Sequence, residues 1–178
     1  MPSLADIARS GDEDTLIKAL EGQTEVYLNN RKLGDKGAKT VASALMVNDT
    51  LTEIDLDRNS IGPEGGKAIA SALKVNKSIT KIYLNKNSIG DEGAKAVASA
   101  LEENEAITTI WLHYNSIGDE GAKAFIHALQ RNGTLANIIL CDNNISNAIM
   151  KKFKATLAIP GKKRGQCVNE NICYVLTF

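Results

Sequence analysis

The sequence is poor in aromatic residues and proline, and it carries no excess of charge. Aromatic side chains make up 4% of its 178 residues and include a single tryptophan. Basic and acidic residues balance at 21 each, which argues against a general attraction to nucleic acid or to anionic membranes. No apolar stretch approaches the ~18 residues that span a bilayer. These absences predict one globular domain that does not cross a membrane.

The beginning of the chain and its few cysteines indicate a cytoplasmic protein. In the opening MPSLADIARSGDED, charged residues interrupt the apolar ones, unlike the continuous apolar core of a signal peptide. Cys141, Cys167 and Cys173 are odd in number and lack zinc-type spacing. We therefore expect reduced thiols, with no metal and no cofactor.

Three glycosylation-like sequons begin at Asn48, Asn76 and Asn132, each just after a helical pattern. An asparagine in this place can end a helix because it tolerates the left-handed backbone conformation. Since no secretion signal is recognised, we interpret these residues as helix ends and not as sites of sugar attachment.

One phrase recurs every 28 residues: residues 79–96 read ITKIYLNKNSIGDEGAKA and residues 107–124 read ITTIWLHYNSIGDEGAKA. Five such blocks begin at Gln23, Leu51, Ile79, Ile107 and Leu135. Within a block, the alternation of apolar and polar residues predicts a short strand, and the glycine- and alanine-rich second half predicts a helix. Because each unit buries little by itself, the stacking of neighbouring units must supply the core.

The shared skeleton LxxIxLxxNxIG resembles the leucine-rich repeat, and the 28-residue length is similar to the ribonuclease-inhibitor subtype. The resemblance implies an α/β right-handed solenoid, a horseshoe with a parallel sheet on its concave face and helices on its convex face. Similar repeats form the sensor regions of NOD-like receptors and, more distantly, occur in tropomodulin and the Ran GTPase-activating protein. In such repeats a recurring asparagine bonds the turning backbone of the neighbouring coil, and the residues at this position here are Asn59, Asn87, Asn115 and Asn143.

The ends of the chain depart from the repeat. We expect an N-terminal helical cap at 1–22, with a break near Gly11, and a C-terminal capping tail at 161–178. The repeats between them are assigned to 23–160, as 23–50, 51–78, 79–106, 107–134 and 135–162. In the last block Ser146 replaces a glycine and is expected to cap the helix. The apolar residues 172–178 either cover the open end of the solenoid or meet a partner, such as a second copy in a weak dimer.

The side chains that point off the concave sheet are free of the scaffold and form rows with ~4.8 Å between neighbours. The middle row is Tyr27, Asp55, Tyr83, Trp111 and Ile139. The next row is Asn29, Asp57, Asn85, His113 and Cys141. The strand exits carry Asn30, Arg58, Lys86, Tyr114 and Asp142. An acidic end therefore gives way to an aromatic end.

Exposed tryptophan and tyrosine dominate the energetics of protein interfaces, so the concave face is predicted to bind a partner protein or peptide. The alternative is that these large side chains only cover the sheet or pack against the tail. The predicted contact residues are Tyr27, Asp55, Asp57, Arg58, Tyr83, Lys86, Trp111, His113, Tyr114 and Ile139.

No pattern in the chain predicts catalysis. His113 and Cys141 are expected to be neighbours, yet no third group orients them as a nucleophile and its base. The acidic side chains near Asp55 point in parallel and do not converge on a cation. The prediction is a non-enzymatic scaffold that binds a protein; regulation of a small GTPase and actin capping are the alternatives.

Overall fold

The computed structural model describes residues 2–157, which alternate between helices and three-residue strands. The helices are α1 Leu4–Ser10, α2 Glu13–Leu20, α3 Gly34–Val47, α4 Pro63–Val75, α5 Gly90–Glu103, α6 Asp119–Arg131 and α7 Asn147–Leu157. The strands are β1 Glu25–Tyr27, β2 Glu53–Asp55, β3 Lys81–Tyr83, β4 Thr109–Trp111 and β5 Asn137–Ile139. The predicted tail, and with it the end of the last repeat, lies outside the described residues. None of the helices between residues 2 and 157 is long and apolar enough to cross a membrane.

The strands form one parallel sheet in chain order, β1-β2-β3-β4-β5, with a register of one repeat. Ile54 pairs with Val26 on one side and with Ile82 on the other, and all three side chains are buried. The ladder continues past the strands, where the Leu28 N–H donates to the Asp55 carbonyl at 2.8 Å. The helices pack against their sequence neighbours in order. This arrangement confirms the predicted α/β solenoid.

The recurring asparagines form a buried ladder that ties each repeat to the one before it. Asn59, Asn87, Asn115 and Asn143 each donate from Nδ2 to the strand-end leucine carbonyl one repeat earlier, at 2.8–3.0 Å. The Oδ1 atom accepts backbone N–H groups in the same turn, such as that of Arg31 at 2.8 Å from Asn59. A tight bend leaves such backbone groups without partners, so the ladder satisfies what the turn exposes.

The asparagines of the three sequons form a second ladder at the other edge of the repeats. Asn76 donates from Nδ2 to the carbonyls of Leu45 and Asn48, both at 2.8 Å, while its Oδ1 accepts the Ile79 N–H at 2.8 Å. The predicted left-handed conformation is wrong, because Asn48, Asn76 and Asn132 all have negative φ in extended backbone. These residues are used for their amide side chains, which bridge consecutive repeats.

Aspartates cap the helix of the following repeat, a feature that the sequence pattern did not reveal. Asp35 Oδ1 accepts the N–H groups of Gly62 and Gly65 at 2.7 and 2.9 Å, so it caps α4. Asp91 does the same for α6 through Gly118 and Gly121, at the same two distances. A carboxylate at the positive end of a helix stabilises the free N–H groups of its first turn. The helix layer is therefore joined by polar bonds as well as by apolar packing.

Close packing between helices requires the small residues of the repeat. A Cβ atom added at Gly121 would lie 2.7 Å from Ile117 Cγ2, 2.8 Å from Asp91 Oδ1 and 2.9 Å from Ala94 Cβ. Distances below 3.0 Å force a neighbour to move. The recurring glycine therefore sets how closely α5 and α6 approach.

Two short helices, α1 and α2, precede the first strand and shield the start of the core. Helix α1 ends at Gly11, where the break was expected, with φ at 88°. Leu16 and Leu20 of α2 are fully buried. At the other end of the described chain, the Ile149 N–H of α7 donates to the Ser146 hydroxyl at 3.4 Å, as the predicted cap requires.

Candidate partner-binding face

The outward side chains of the sheet lie in the rows that the repeat predicts. Strand register places Tyr27 beside Asp55, Asp55 beside Tyr83, and Tyr83 beside Trp111. Tyr83 and Trp111 are both half-buried, and their ring centroids lie 4.7 Å apart at an interplanar angle of 61°. Edge-to-face contact holds each ring in place without covering it. The two rings form a preorganised apolar surface at the centre of the sheet.

A second aromatic group lies at the exits of β3 and β4. The rings of His113 and Tyr114 make an edge contact with centroids 5.6 Å apart. The Lys86 ammonium lies 5.3 Å from the centroid of the Tyr114 ring, within the range of a cation–π interaction. Tyr114 still has 51% of its surface exposed. This group extends the aromatic surface toward the C-terminal ends of the strands.

The β1 and β2 end of the face is rich in carboxylates. Glu53 forms an ion pair with Lys81 at 2.9 Å, and the Tyr27 hydroxyl donates to Glu25 at 2.8 Å. This hydrogen bond is the largest cause that raises the pKa of Tyr27 to about 12, because the carboxylate stabilises the protonated phenol. Tyr27 is 56% exposed. Its ring and hydroxyl are both open to solvent on the acidic side of the face.

A hydrogen-bonded chain crosses the face from Asp57 to His113. Asp57 accepts the backbone and side-chain N–H groups of Asn85 at 2.7 and 3.0 Å. Asn85 Oδ1 in turn accepts the His113 N–H at 3.2 Å. Burial lowers the pKa of His113, because a desolvated site disfavours the imidazolium. Burial also raises the pKa of Asp55, and the nearby carboxylates add to the shift.

Two predicted positions on the face differ from expectation. Ile139 is only 3% exposed, so it offers almost no surface to a partner, although its register beside Trp111 is as predicted. Cys141 is disulfide-bonded, and the prediction of a reduced thiol is wrong for this residue. A bonded sulfur is not a thiolate, so the pairing with His113 supplies no nucleophile.

The other predicted contact residues are brought onto one continuous surface by the strand register. Arg58, Lys86 and Tyr114 are exposed at the strand exits, and His113 is half-buried beside them. The prediction missed Asn85, which is 1% exposed and joins Asp57 to His113. A polar residue aligned with Asp57 one repeat later was the available signal. Among residues 2–157, no group of three or more histidine, cysteine, aspartate or glutamate side chains is arranged to hold a metal ion.

The repeat and the fold both have counterparts among known proteins. A family model described as Leucine Rich repeat matches residues 47–70, 75–98 and 104–125. The structure of "Leiomodin-1 Actin-Binding Site 2 (ABS2)" is 24% identical, with a TM-score of 0.73, and the match covers 89% of this chain and 90% of that one. The Caenorhabditis elegans tropomodulin C-terminal domain is 14% identical, with a TM-score of 0.64, over 86% of this chain and 89% of that one. Comparison with curated proteins found no match.

Together with the asparagine ladder and the 28-residue register, these matches define the class of protein. The chain carries leucine-rich repeats, stacked as an α/β leucine-rich repeat solenoid. Its repeats are of the ribonuclease-inhibitor-like type.

Proposed function

We propose that this chain is a non-enzymatic module that binds a partner protein or peptide on the concave sheet face. The observation that carries the proposal is the Tyr83–Trp111 pair, whose ring centroids lie 4.7 Å apart and which stays partly exposed in the middle of the sheet. The scaffold requires the buried isoleucines and leucines, but it does not require aromatic side chains on the opposite face of the strands. Tryptophan and tyrosine that are held in place lose little conformational entropy on binding, which makes them effective anchors.

The side chains around this pair suit a partner that presents both charged and apolar groups. The ion pair of Lys81 with Glu53 lies beside Tyr83, and Asp55 lies next to it in the middle row. A polar rim around an apolar centre is the usual anatomy of a protein interface. The acidic end favours basic groups of the partner, while the aromatic centre favours an apolar side chain.

Affinity capture from cell lysate with wild type and with Trp111→Ala/Tyr83→Ala tests the proposal. Truncation of interface anchors costs about 2 kcal/mol or more each, so recovery of the partner should fall by more than about tenfold. Met46→Ala/Val75→Ala is the matched control, since both residues are exposed apolar side chains at 46% and 56% but lie off the sheet. Equal recovery of the same partners by wild type and by the aromatic double variant would refute binding through this pair.

Actin is a second candidate partner, favoured by the likeness to the structure of leiomodin-1 actin-binding site 2. The match extends over nine-tenths of both chains, which makes the comparison one of whole modules. Co-sedimentation with actin filaments, together with the rate of pyrene-actin assembly, tests this candidate. If the protein at micromolar concentration neither co-sediments with filaments nor changes the rate of assembly, actin is rejected as a partner.

The remaining alternative, regulation of a small GTPase, stays a prediction from the sequence. Its test is GTP hydrolysis by a panel of small GTPases with and without this protein. A cytoplasmic location likewise stays a prediction.

A further inference from the structure

The residues at the five strand exits share an unusual backbone conformation. Their φ angles are 58° at Asn30, 56° at Arg58, 54° at Lys86, 55° at Tyr114 and 54° at Asp142. Left-handed backbone is unfavourable for residues with a Cβ, and asparagine and aspartate tolerate it best among them. The outer repeats follow this preference with Asn30 and Asp142. The three central repeats instead carry arginine, lysine and tyrosine.

The fold itself gives no reason for these three side chains. Arg58, Lys86 and Tyr114 are exposed, whereas the adjacent Asn59 and Asn115 hold the turn. Residues kept in a disfavoured conformation concentrate at sites of function, where the side chain is needed for something other than stability. The conformation is therefore a reason to ask what Arg58, Lys86 and Tyr114 bind. We call these three residues the strand-exit ridge.

The positive charges of the ridge have no acidic partner within the described part of the chain. Within residues 2–157, neither Arg58 nor Lys86 lies within ion-pair distance of a carboxylate. On helices α4, α5 and α6, by contrast, Lys67, Lys95 and Lys123 are each paired with the glutamate three residues before them, at 2.6–2.9 Å. Lys86 instead lies over the Tyr114 ring, with its charge open to solvent.

Among the described residues, the neighbouring acids Asp57 and Glu53 form no ion pair with the ridge. Asp57 accepts two hydrogen bonds from Asn85, and Glu53 is paired with Lys81. Arg58 and Lys86 occupy equivalent positions in adjacent repeats, where the Arg58 N–H donates to the Asn85 carbonyl at 2.9 Å, so both cations lie at the C-terminal ends of neighbouring strands. A guanidinium beside an ammonium, next to an aromatic ring, suits a carboxylate-bearing peptide segment. The carboxylates farther into the sheet disfavour a long polyanion such as nucleic acid.

We propose that the strand-exit ridge docks an acidic segment of the partner protein, with Arg58 and Lys86 binding carboxylates and Tyr114 packing against the segment. This inference rests on the proposed binding function and specifies the chemistry of the partner at one edge of the concave face. The side chains of the ridge are retained for recognition at a cost in backbone strain, which gives the proposal a signature in both binding and stability.

The test uses the full chain and the double variant Arg58→Asn/Lys86→Asn. Asparagine suits left-handed backbone, so the melting temperature should rise by roughly 2–5 °C. The probe is a fluorescein-labelled peptide with six consecutive glutamates, measured by fluorescence anisotropy at low salt, with the glutamine version as a neutral control. Wild type should bind the glutamate peptide and not the glutamine peptide, and the double variant should bind the glutamate peptide at least about tenfold more weakly.

Two control variants separate recognition from charge and from strain. Lys39→Gln/Lys95→Gln removes the same net charge from the convex helices and should leave binding unchanged. Lys32→Asn relieves a left-handed residue at φ 54° outside the ridge, so it should raise the melting temperature and keep binding within about twofold. A double variant that binds the glutamate peptide as wild type does, or that melts at a lower temperature than wild type, would overturn the proposal.

Other ligands are distinguished in the same assay. Wild type that binds a phosphoserine peptide but not the glutamate peptide, or that binds single-stranded DNA more tightly than the glutamate peptide, would also overturn the assignment to carboxylates. The proposed function is judged separately, by recovery of lysate partners with Trp111→Ala/Tyr83→Ala. If the aromatic double variant loses its lysate partners but wild type does not bind the glutamate peptide, the proposed binding face is supported and the proposal for the strand-exit ridge is rejected.

Discussion

Replacing Asn59 with alanine should destabilise the protein more than the same change at Asn115, although both asparagines are fully buried rungs of one ladder. The reason lies in the neighbouring repeat. Among the described residues, the Leu28 carbonyl receives only Asn59 Nδ2, at 2.8 Å, because position 31 is an arginine. The Leu84 carbonyl accepts hydrogen bonds from two asparagine side chains, Asn87 at 2.9 Å and Asn115 at 2.8 Å.

The magnitudes follow from the groups left without partners. Asn59→Ala orphans the Leu28 carbonyl and the N–H groups of Arg31 and Leu33, and each unsatisfied buried group costs about 1–3 kcal/mol. Arg31 is exposed, so its N–H regains water and the total should be about 2–4 kcal/mol. Asn115→Ala orphans the Ile89 N–H, which is held at 3.4 Å, but leaves the Leu84 and Leu112 carbonyls with a second donor, so it should cost about 1–2 kcal/mol. The exposed Asn29→Ala should fall within about 0.5 kcal/mol of wild type.

Urea unfolding followed by far-UV circular dichroism gives the free energy of unfolding for each variant. Amide hydrogen exchange shows where the destabilisation lies, since Asn59→Ala should accelerate exchange in β1 more than in β4. An Asn115→Ala variant that is as destabilised as Asn59→Ala, or more so, would show that the second donor does not compensate and would refute the reasoning.

Three further predictions concern the helix layer. Asp91→Ala removes the acceptor of two N–H groups at the start of α6 and should cost about 1–2 kcal/mol in urea unfolding, whereas Glu92→Ala, at an exposed ion pair, should leave stability nearly unchanged. Gly121→Ala should destabilise by about 1–3 kcal/mol, because its Cβ would lie 2.7 Å from Ile117 Cγ2; a neutral effect in thermal unfolding would contradict the packing argument. Hydrogen bonds from Ser146 lower the pKa of Asp119 below 3.8. Its contribution to stability is therefore fully present above the unfolded-state pKa and lost as the pH falls through the lower folded-state pKa, so the melting temperatures of Asp119→Asn and wild type should differ at neutral pH and approach each other as the solution is acidified.

The concave face could be predicted residue by residue because the strand has a period of two and the repeat has a fixed length. Once Ile54 is known to be buried, Asp55 must point the other way, and the 28-residue register places it beside Tyr83. The Tyr83–Trp111 contact follows from the same register. The burial of Ile139 could not be predicted in this way, because its exposure depends on its surroundings at the end of the sheet and not on its own strand.

Polar contacts between repeats could not be predicted in the same way. The pattern GD recurs in the helix starts, yet only the three-dimensional offset of one helix from the next shows that Asp91 reaches Gly118 and Gly121. The sequon asparagines illustrate the same limit. Their place at the helix ends was clear, but a helix-ending residue can act through its backbone or its side chain, and only the structure shows that the amide bridges two repeats.

By itself the sequence determined the architecture, since a repeated apolar skeleton has one efficient way to bury itself, by parallel stacking of identical units. It also determined which side chains the stack leaves outside. The tertiary structure decided how those side chains are held: which carboxylates are already bonded, which rings touch, and which strand-exit residues adopt left-handed backbone. These properties depend on distances between neighbouring repeats, which no single repeat encodes.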